Sequence, residues 1–184
     1  MNIRLATADD ASGVLGVYAP IVNDTLISFE ERPPGVMEMA ERIERTLSHL
    51  PWIVAEEAGE IAGYAYASRY RARAAYRWSA EVSVYVSPAW QRRKLGTKLY
   101  EALFAVLRLQ GYRMAYAGIA LPNDGSVALH EGLGFESVGV FRAAGRKFET
   151  WTDVGWWALL LQTLGDRPQE PAPLPSLGLD AHIA

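Results

Sequence analysis

The chain has 184 residues, half of them apolar and 21% charged, the balance of a globular domain rather than a disordered chain. Its 18 Lys and Arg against 21 Asp and Glu leave a net charge of −3, which argues against a nucleic-acid backbone as the main partner. The absence of cysteine excludes a disulfide framework, a thiol nucleophile and a Cys-ligated metal, and no uncharged run reaches the ~18 apolar residues of a membrane span.

The opening MNIRLATADD meets two aspartates where a signal peptide needs an apolar core, so a cytoplasmic protein is expected. Residues 3–5 open a strand, and Thr7 with Asp10 forms a capping-box pattern for a helix carrying Val14, Val17, Tyr18 and Ile21 on one face. Pro33 and Pro34 introduce a second helix. On it Val36, Ala40, Ile43 and Leu47 recur at helical spacing, Glu41 and Arg45 make an i,i+4 pair, and Pro51 is the stop. Residues 52–56 and 61–68 read as a hairpin around Gly59.

Segment 80–86 alternates strictly: Ala80, Val82, Val84 and Val86 point one way, Glu81, Ser83 and Tyr85 the other. From Leu95 the period becomes helical, with Leu95, Leu99, Leu103, Val106 and Leu107 in one stripe closed by Gly111. Residues 112–121 return to a strand, the run from Pro122 to Gly125 breaks the chain, and a short helix spans 126–133. Two more strands are expected near 135–141 and 150–161. After Gly165, four prolines mark a semi-rigid tail, which places the domain at 1–165 and the tail at 166–184. Antiparallel strands mixed with strand–helix–strand units predict an α/β (α+β) domain built on a single mixed, mostly antiparallel sheet flanked by helices.

The strongest chemical signal lies at residues 82–100. A strand runs into Gln91, Arg92, Arg93, Lys94, Leu95, Gly96 and Thr97, and then into the start of an amphipathic helix. Amide N–H groups and the positive dipole end at such a start attract an anion, and these basic and small residues suit a pyrophosphate. An ordinary basic helix start has the same appearance. The turn lacks both the Walker spacing and the three-glycine dinucleotide fingerprint.

This turn resembles motif A of the GNAT acetyltransferases, Gln/Arg-x-x-Gly-x-Gly/Ala after a strand, with Lys94 standing at the first glycine. LPNDGSVALHEGLGF (121–135) resembles motif B. Together with AYRWSAEVSVYVSP and FRAAGRKFETWTDVGWW, these stretches are similar to the phosphinothricin N-acetyltransferase and methionine sulfoximine acetyltransferase family, from about residue 3 to residue 161. The resemblance implies the GNAT fold, acetyl-CoA as co-substrate, no metal, a homodimer, and transfer to the α-amino group of a small amino acid such as phosphinothricin, methionine sulfoximine or methionine sulfone. It implies a cofactor wedged between parallel strands at 80–86 and 112–121. The Val84, Tyr85 and Val86 backbone would pair with the pantetheine. Arg92, Arg93, Lys94, Leu95, Gly96 and Thr97 would hold the pyrophosphate, and Asn123 and Ser126 would contact the cofactor arm. At Lys94 a left-handed backbone would penalise a lysine, whereas a helical one would let its ammonium add a phosphate contact. The helical conformation is expected.

An α-ammonium must lose a proton before it can attack. Glu81, on the same strand face as Ser83, is placed to take that proton directly or through a water, and the resemblance puts a general base here too. A solvated or Arg-paired carboxylate is the alternative. His130 shares a helix face with Ser126, but with no Gly-x-Ser-x-Gly elbow the pair does not read as hydrolytic. Related acetyltransferases often carry at this position a Tyr that protonates the leaving thiolate. His130, or a water, is therefore the candidate acid, against the alternative of a helix histidine bonded to backbone or water. His49 and His182 are too scattered for a metal site.

Arg71 and Arg73 are spaced to grip a carboxylate. With Tyr76, Val82, Ser83, Glu81 and Phe29 they form the expected substrate set, a solvated basic loop being the alternative. Trp151, Trp156 and Trp157 read as core or dimer interface. Rival functions are a GNAT enzyme acting on peptide N-termini or polyamines, a non-catalytic acetyl-CoA sensor, and a nucleotide-phosphate binder using residues 92–98.

Overall fold

The structure, a computed structural model, describes residues 1–179; His182 and the last residues of the expected tail lie outside the described residues. In chain order the elements are β1 (Asn2–Leu5), α1 (Ala11–Asp24), α2 (Val36–Leu47), β2 (Trp52–Glu57), β3 (Glu60–Arg69), β4 (Ser79–Val86), α3 (Leu95–Gln110), β5 (Met114–Leu121), α4 (Asp124–Gly132), β6 (Glu136–Lys147) and β7 (Thr150–Leu160). The strands form one seven-stranded sheet in the order β1-β2-β3-β4-β5-β7-β6. Every pairing is antiparallel except β4 with β5.

The two sheet faces are built from different side chains. Under α3 the strands present small residues, Ala55, Ala65, Ala67, Ala80 and Ala115, so Leu99, Leu103 and Leu107 of the helix come close and are fully buried. On the other face, α1 and α2 cover the large Trp52, Val54 and Tyr64. Each buried Leu or Val adds about 1.5–3 kcal/mol to folding.

The Thr7 N–H donates to Asp10 Oδ2 at 2.7 Å, as the capping pattern predicts. α2 differs from expectation in two respects. Its buried residues are Met39 and Ile43, while Val36 is exposed, because Gly35 rather than a proline caps the helix and the face is turned. Arg45 does not pair with Glu41. Instead Arg42 reaches Glu38 at 2.6 Å and Glu30 at 2.7 Å, because Glu30 in the preceding loop adds a second carboxylate.

β4 and β5 pair only through Ser79–Met114, Ala80–Ala115 and Glu81–Tyr116. Beyond Glu81 the strands part, because β4 stays with β3 as far as Val86 while β5 follows β7 as far as Leu121. The proline-rich segment lies along the domain. Trp78 Nε1 donates to Gln169 O at 2.8 Å, the Gln110 amide donates to Ala172 O at 2.7 Å, and Leu174 is buried. Among the described residues, no helix is long and apolar enough to cross a membrane.

Candidate active site

Glu81 is the last residue of β4 that pairs with β5, so its carboxylate stands where the sheet opens. It shares the strand face of Ser83 and Tyr85, under α1 and the loop that follows it. No hydrogen bond or ion pair ties the carboxylate to another described residue. Burial pushes the Glu81 carboxyl above the usual carboxylate range, and the positive charge of Arg71 pulls it part of the way back. A carboxylate in this state is a better proton acceptor than a solvated one.

An aromatic wall flanks it. Tyr116 faces Glu81 in register and stacks on Tyr70 with centroids 4.3 Å apart. The Arg71 guanidinium covers Tyr70 at 4.3 Å, and Tyr76 stands edge-on to Tyr70 at 5.8 Å. Across β4, Tyr66 faces Ser83 and Tyr64 faces Tyr85. Tyr18 O–H donates to Glu30 Oε1 at 3.0 Å and lies 2.8 Å from Ser28 Oγ, which ties α1 to the loop carrying Phe29.

Lys147 holds that loop from below. Its ammonium is buried and donates to the carbonyls of Val22, Thr25 and Ser28 at 2.6, 3.1 and 2.7 Å, closing the end of α1. Desolvation lowers its pKa. Phe29 rests on Gly145, where a Cβ would come within 2.3 Å of the ring. The expected substrate residues therefore divide. Glu81 and Ser83 share the strand face at the opening, and Arg71 and Tyr76 gather on Tyr70 beside Tyr116, whereas Phe29 is seated on Gly145 of β6. The Arg73 side chain is exposed and makes no hydrogen bond or ion pair with a described residue, and the Val82 side chain is in the core under α3, which leaves only its backbone at the opening.

Past Glu81, the gap between β4 and β5 is lined by Val84, Tyr85, Asn123, Ser126 and His130, and it runs into a cavity of about 490 Å³ at the start of α3. Arg92, Lys94, Leu95, Gly96 and Thr97 line that cavity together with the strand edge of Val84, Tyr85 and Val86. Arg93 is not among them; its guanidinium lies over the Trp90 ring at 5.0 Å.

The backbone of the turn corrects the expectation for Lys94. Lys94 has φ +59° and caps α3 in the left-handed region, and Arg92 also has φ +59°. Such a conformation costs about 1–2 kcal/mol for a residue with a Cβ, and it turns successive amides into a concave anion-binding nest ahead of the helix dipole. Gly96 has a packing reason as well, since a Cβ there would come within 3.0 Å of Leu129 on α4. Asn123 Oδ1 accepts from Ser126 N at 3.1 Å and so caps α4. The residues present thus fit a long phosphorylated ligand: an unpaired strand edge, a widening gap, and a basic nest at its far end.

His130 is buried, with Nδ1 2.7 Å from Ser126 O and Nε2 3.0 Å from the Tyr100 hydroxyl. The carbonyl can only accept, so Nδ1 carries the proton and Nε2 accepts from Tyr100. Burial pushes the imidazole pKa down despite the Ser126 carbonyl, which favours the neutral ring. The sequence reading missed Tyr66, Tyr70, Tyr116 and Lys147. Tyr66 and Tyr116 had a signal, the two-residue alternation that puts each on the face of Glu81 once the register is known.

The chain matches a family model described as acetyltransferase (GNAT) domain over residues 3–156. It is similar to the phosphinothricin N-acetyltransferase of Streptomyces viridochromogenes, with 40% identity over 174 residues that cover 95% of this chain and 93% of the relative. The L-methionine sulfoximine/L-methionine sulfone acetyltransferase of Pseudomonas aeruginosa is 32% identical over 169 residues, covering 91% and 98% of the two chains. Among solved structures, a GNAT superfamily phosphinothricin acetyltransferase from Sinorhizobium meliloti in complex with acetyl-CoA is 34% identical, with a TM-score of 0.86 and coverage of 91% and 92%.

Proposed function

Because the chain belongs to the GNAT acetyltransferase family and is an N-acetyltransferase, we propose that it acetylates the α-amino group of a small amino acid of the phosphinothricin, methionine sulfoximine or methionine sulfone type. The observation that carries this reading is Glu81, a half-buried carboxylate with no hydrogen-bonded partner among the described residues, at the point where β4 and β5 part. The names of the relatives supply the acceptor class.

Acetyl-CoA, when bound, supplies an acetyl group activated as a thioester. The unpaired edge of Val84, Tyr85 and Val86 holds the pantetheine arm, with Asn123 and Ser126 across the gap. Arg92, Lys94, Leu95, Gly96 and Thr97 would hold the pyrophosphate, with Arg92 and Lys94 as the charged contacts. Glu81 takes a proton from the acceptor ammonium onto a carboxylate oxygen, freeing the nitrogen lone pair, while the strand edge at Tyr85, unpaired with β5, would offer its amides to the developing negative charge. Arg71 attracts the acceptor carboxylate, and Phe29, Tyr76 and Ser83 enclose the rest. With acetyl-CoA bound, the freed nitrogen would bond to the thioester carbonyl carbon as the C–S bond breaks, and the sulfur's proton would come from water rather than from His130, because both ring nitrogens are engaged inside the protein. His130 instead holds α4 against Tyr100.

The domain at 1–165 is the catalytic unit, and we place its action in the cytoplasm. A homodimer is supported by edge strand β6, which leaves Val138, Val140 and Phe141 exposed. Equilibrium sedimentation tests that assembly. The function is tested by thiol release from acetyl-CoA over a panel of amino acids, with thermal melts in millimolar CoA or ATP alongside. Turnover of an amino acid and protection by CoA are expected. Protection by ATP alone, or turnover only of polyamines, would overturn the reading.

A further inference from the structure

Trp156, which the sequence places in the core or an interface, is found on the acceptor side of the opening. It pairs directly with Gly118 on β5, and its indole lies across that strand: a Cβ on Gly118 would meet Cη2 at 3.3 Å and Cζ2 at 3.4 Å. Gly118 is two residues beyond Tyr116, the partner of Glu81, and so shares its face at a spacing of about 7 Å. Tyr70 stands edge-on to the indole at 6.3 Å, Phe141 packs at 5.9 Å, and the Arg71 guanidinium lies 5.6 Å from the ring.

In this setting Trp156 Nε1 is buried and makes no hydrogen bond among the described residues. An unpaired buried N–H costs about 1–3 kcal/mol, a cost that a ligand oxygen arriving beside it would remove. The ring also fills the space that Gly118 leaves open, so a bound side chain must end against it. The charge of Arg71 serves the acceptor carboxylate, whereas a neutral indole N–H suits a neutral, polarised oxygen.

We propose that Trp156 determines side-chain specificity in the acceptor site: its ring sets the depth, and its Nε1–H donates to an oxo oxygen on sulfur or phosphorus at the end of the acceptor side chain. The inference rests on the amino-acid acetylation reading above. The test compares the full-length wild type with Trp156→Phe, which keeps a ring and removes the N–H. The substrates are L-methionine sulfone and L-methionine, which differ only in the oxo groups. Loss of the hydrogen bond should lower kcat/KM for the sulfone about tenfold, through KM, and move that for methionine less than twofold. The CoA-induced melting shift should stay at the wild-type value.

An equal loss on both substrates would assign the N–H to a group they share, or the ring to packing alone, and would overturn the proposal, as would no loss on either. If Trp156→Phe fails to fold, nitrogen-15 NMR of the wild type decides. One indole N–H resonance should move downfield with methionine sulfone and stay in place with methionine, and equal responses overturn the proposal. A wild type that acetylates no amino acid would overturn the functional reading and this inference with it. A wild type that acetylates both amino acids, with Trp156→Phe unselective, overturns this inference alone.

Discussion

Replacing Glu81 by Gln tests the chemistry most directly. The swap is nearly isosteric, and the carboxylate has no hydrogen-bonded partner among the described residues to lose, so the packing around β4 should survive. What disappears is the proton acceptor. General-base catalysis contributes about 10²–10⁴-fold, which at about 1.36 kcal/mol per decade raises the barrier by about 2.7–5.4 kcal/mol. The loss should fall on kcat and shrink as pH rises towards the pKa of the acceptor amine, where solvent supplies neutral amine unaided. Stability should move the other way. The folded-state pKa of Glu81 is raised by burial, so the ionised form is disfavoured in the fold. The penalty is complete above that raised pKa and absent below the ordinary glutamate range. Glu81→Gln should therefore melt above the wild type at pH 7–8, and the excess should fade as pH falls into the ordinary carboxylate range. Thiol-release kinetics from pH 6 to 9 and melts with and without CoA read all of these outcomes. A variant with wild-type kcat at pH 7 would remove Glu81 from the mechanism, and one that loses activity and melts lower would make it a structural carboxylate.

Three further substitutions probe the supports. Lys94→Gly relieves a left-handed residue, worth about 1–2 kcal/mol, against about 0.5–1 kcal/mol of added unfolded-chain entropy. The melting temperature should hold or rise slightly while the CoA KM rises about two- to threefold, since one exposed charge is screened. Lys147→Met strands three carbonyls at the end of α1. It should cost on the order of 3 kcal/mol, about 6–12 °C in a calorimetric scan, and raise the acceptor KM but not the CoA KM. Tyr100→Phe removes the donor to His130 Nε2 and should cost about 1–3 kcal/mol. Steady-state kcat at pH 7 should stay within about twofold, and a large fall would restore His130 as the acid.

Much of the scaffold follows from local pattern. The alternation at 80–86 sets Glu81 and Ser83 on one face whatever the partners of the strand. The change of period at Leu95 marks α3, and the basic turn before it marks an anion site, because helix starts carry unpaired amides wherever they occur. Lys94 lay at the edge of that legibility. The local cost of a left-handed lysine is about 1–2 kcal/mol and argues for a helical backbone, and only the docking of α3 against β3 and α4 enforces the turn. The remainder of the site is tertiary. Tyr70, Tyr116, Trp156 and Lys147 come from separate strands and connections, and in sequence each resembles an ordinary strand residue. Tyr70, Tyr116 and Trp156 meet because β5 leaves β4 after three paired residues to follow β7, while Lys147 reaches the end of α1 from β6, arrangements set by pairing between distant segments. Periodicity specifies which face a side chain occupies, but not which strand lies beside it, because register and strand order are decided by contacts far apart in the chain.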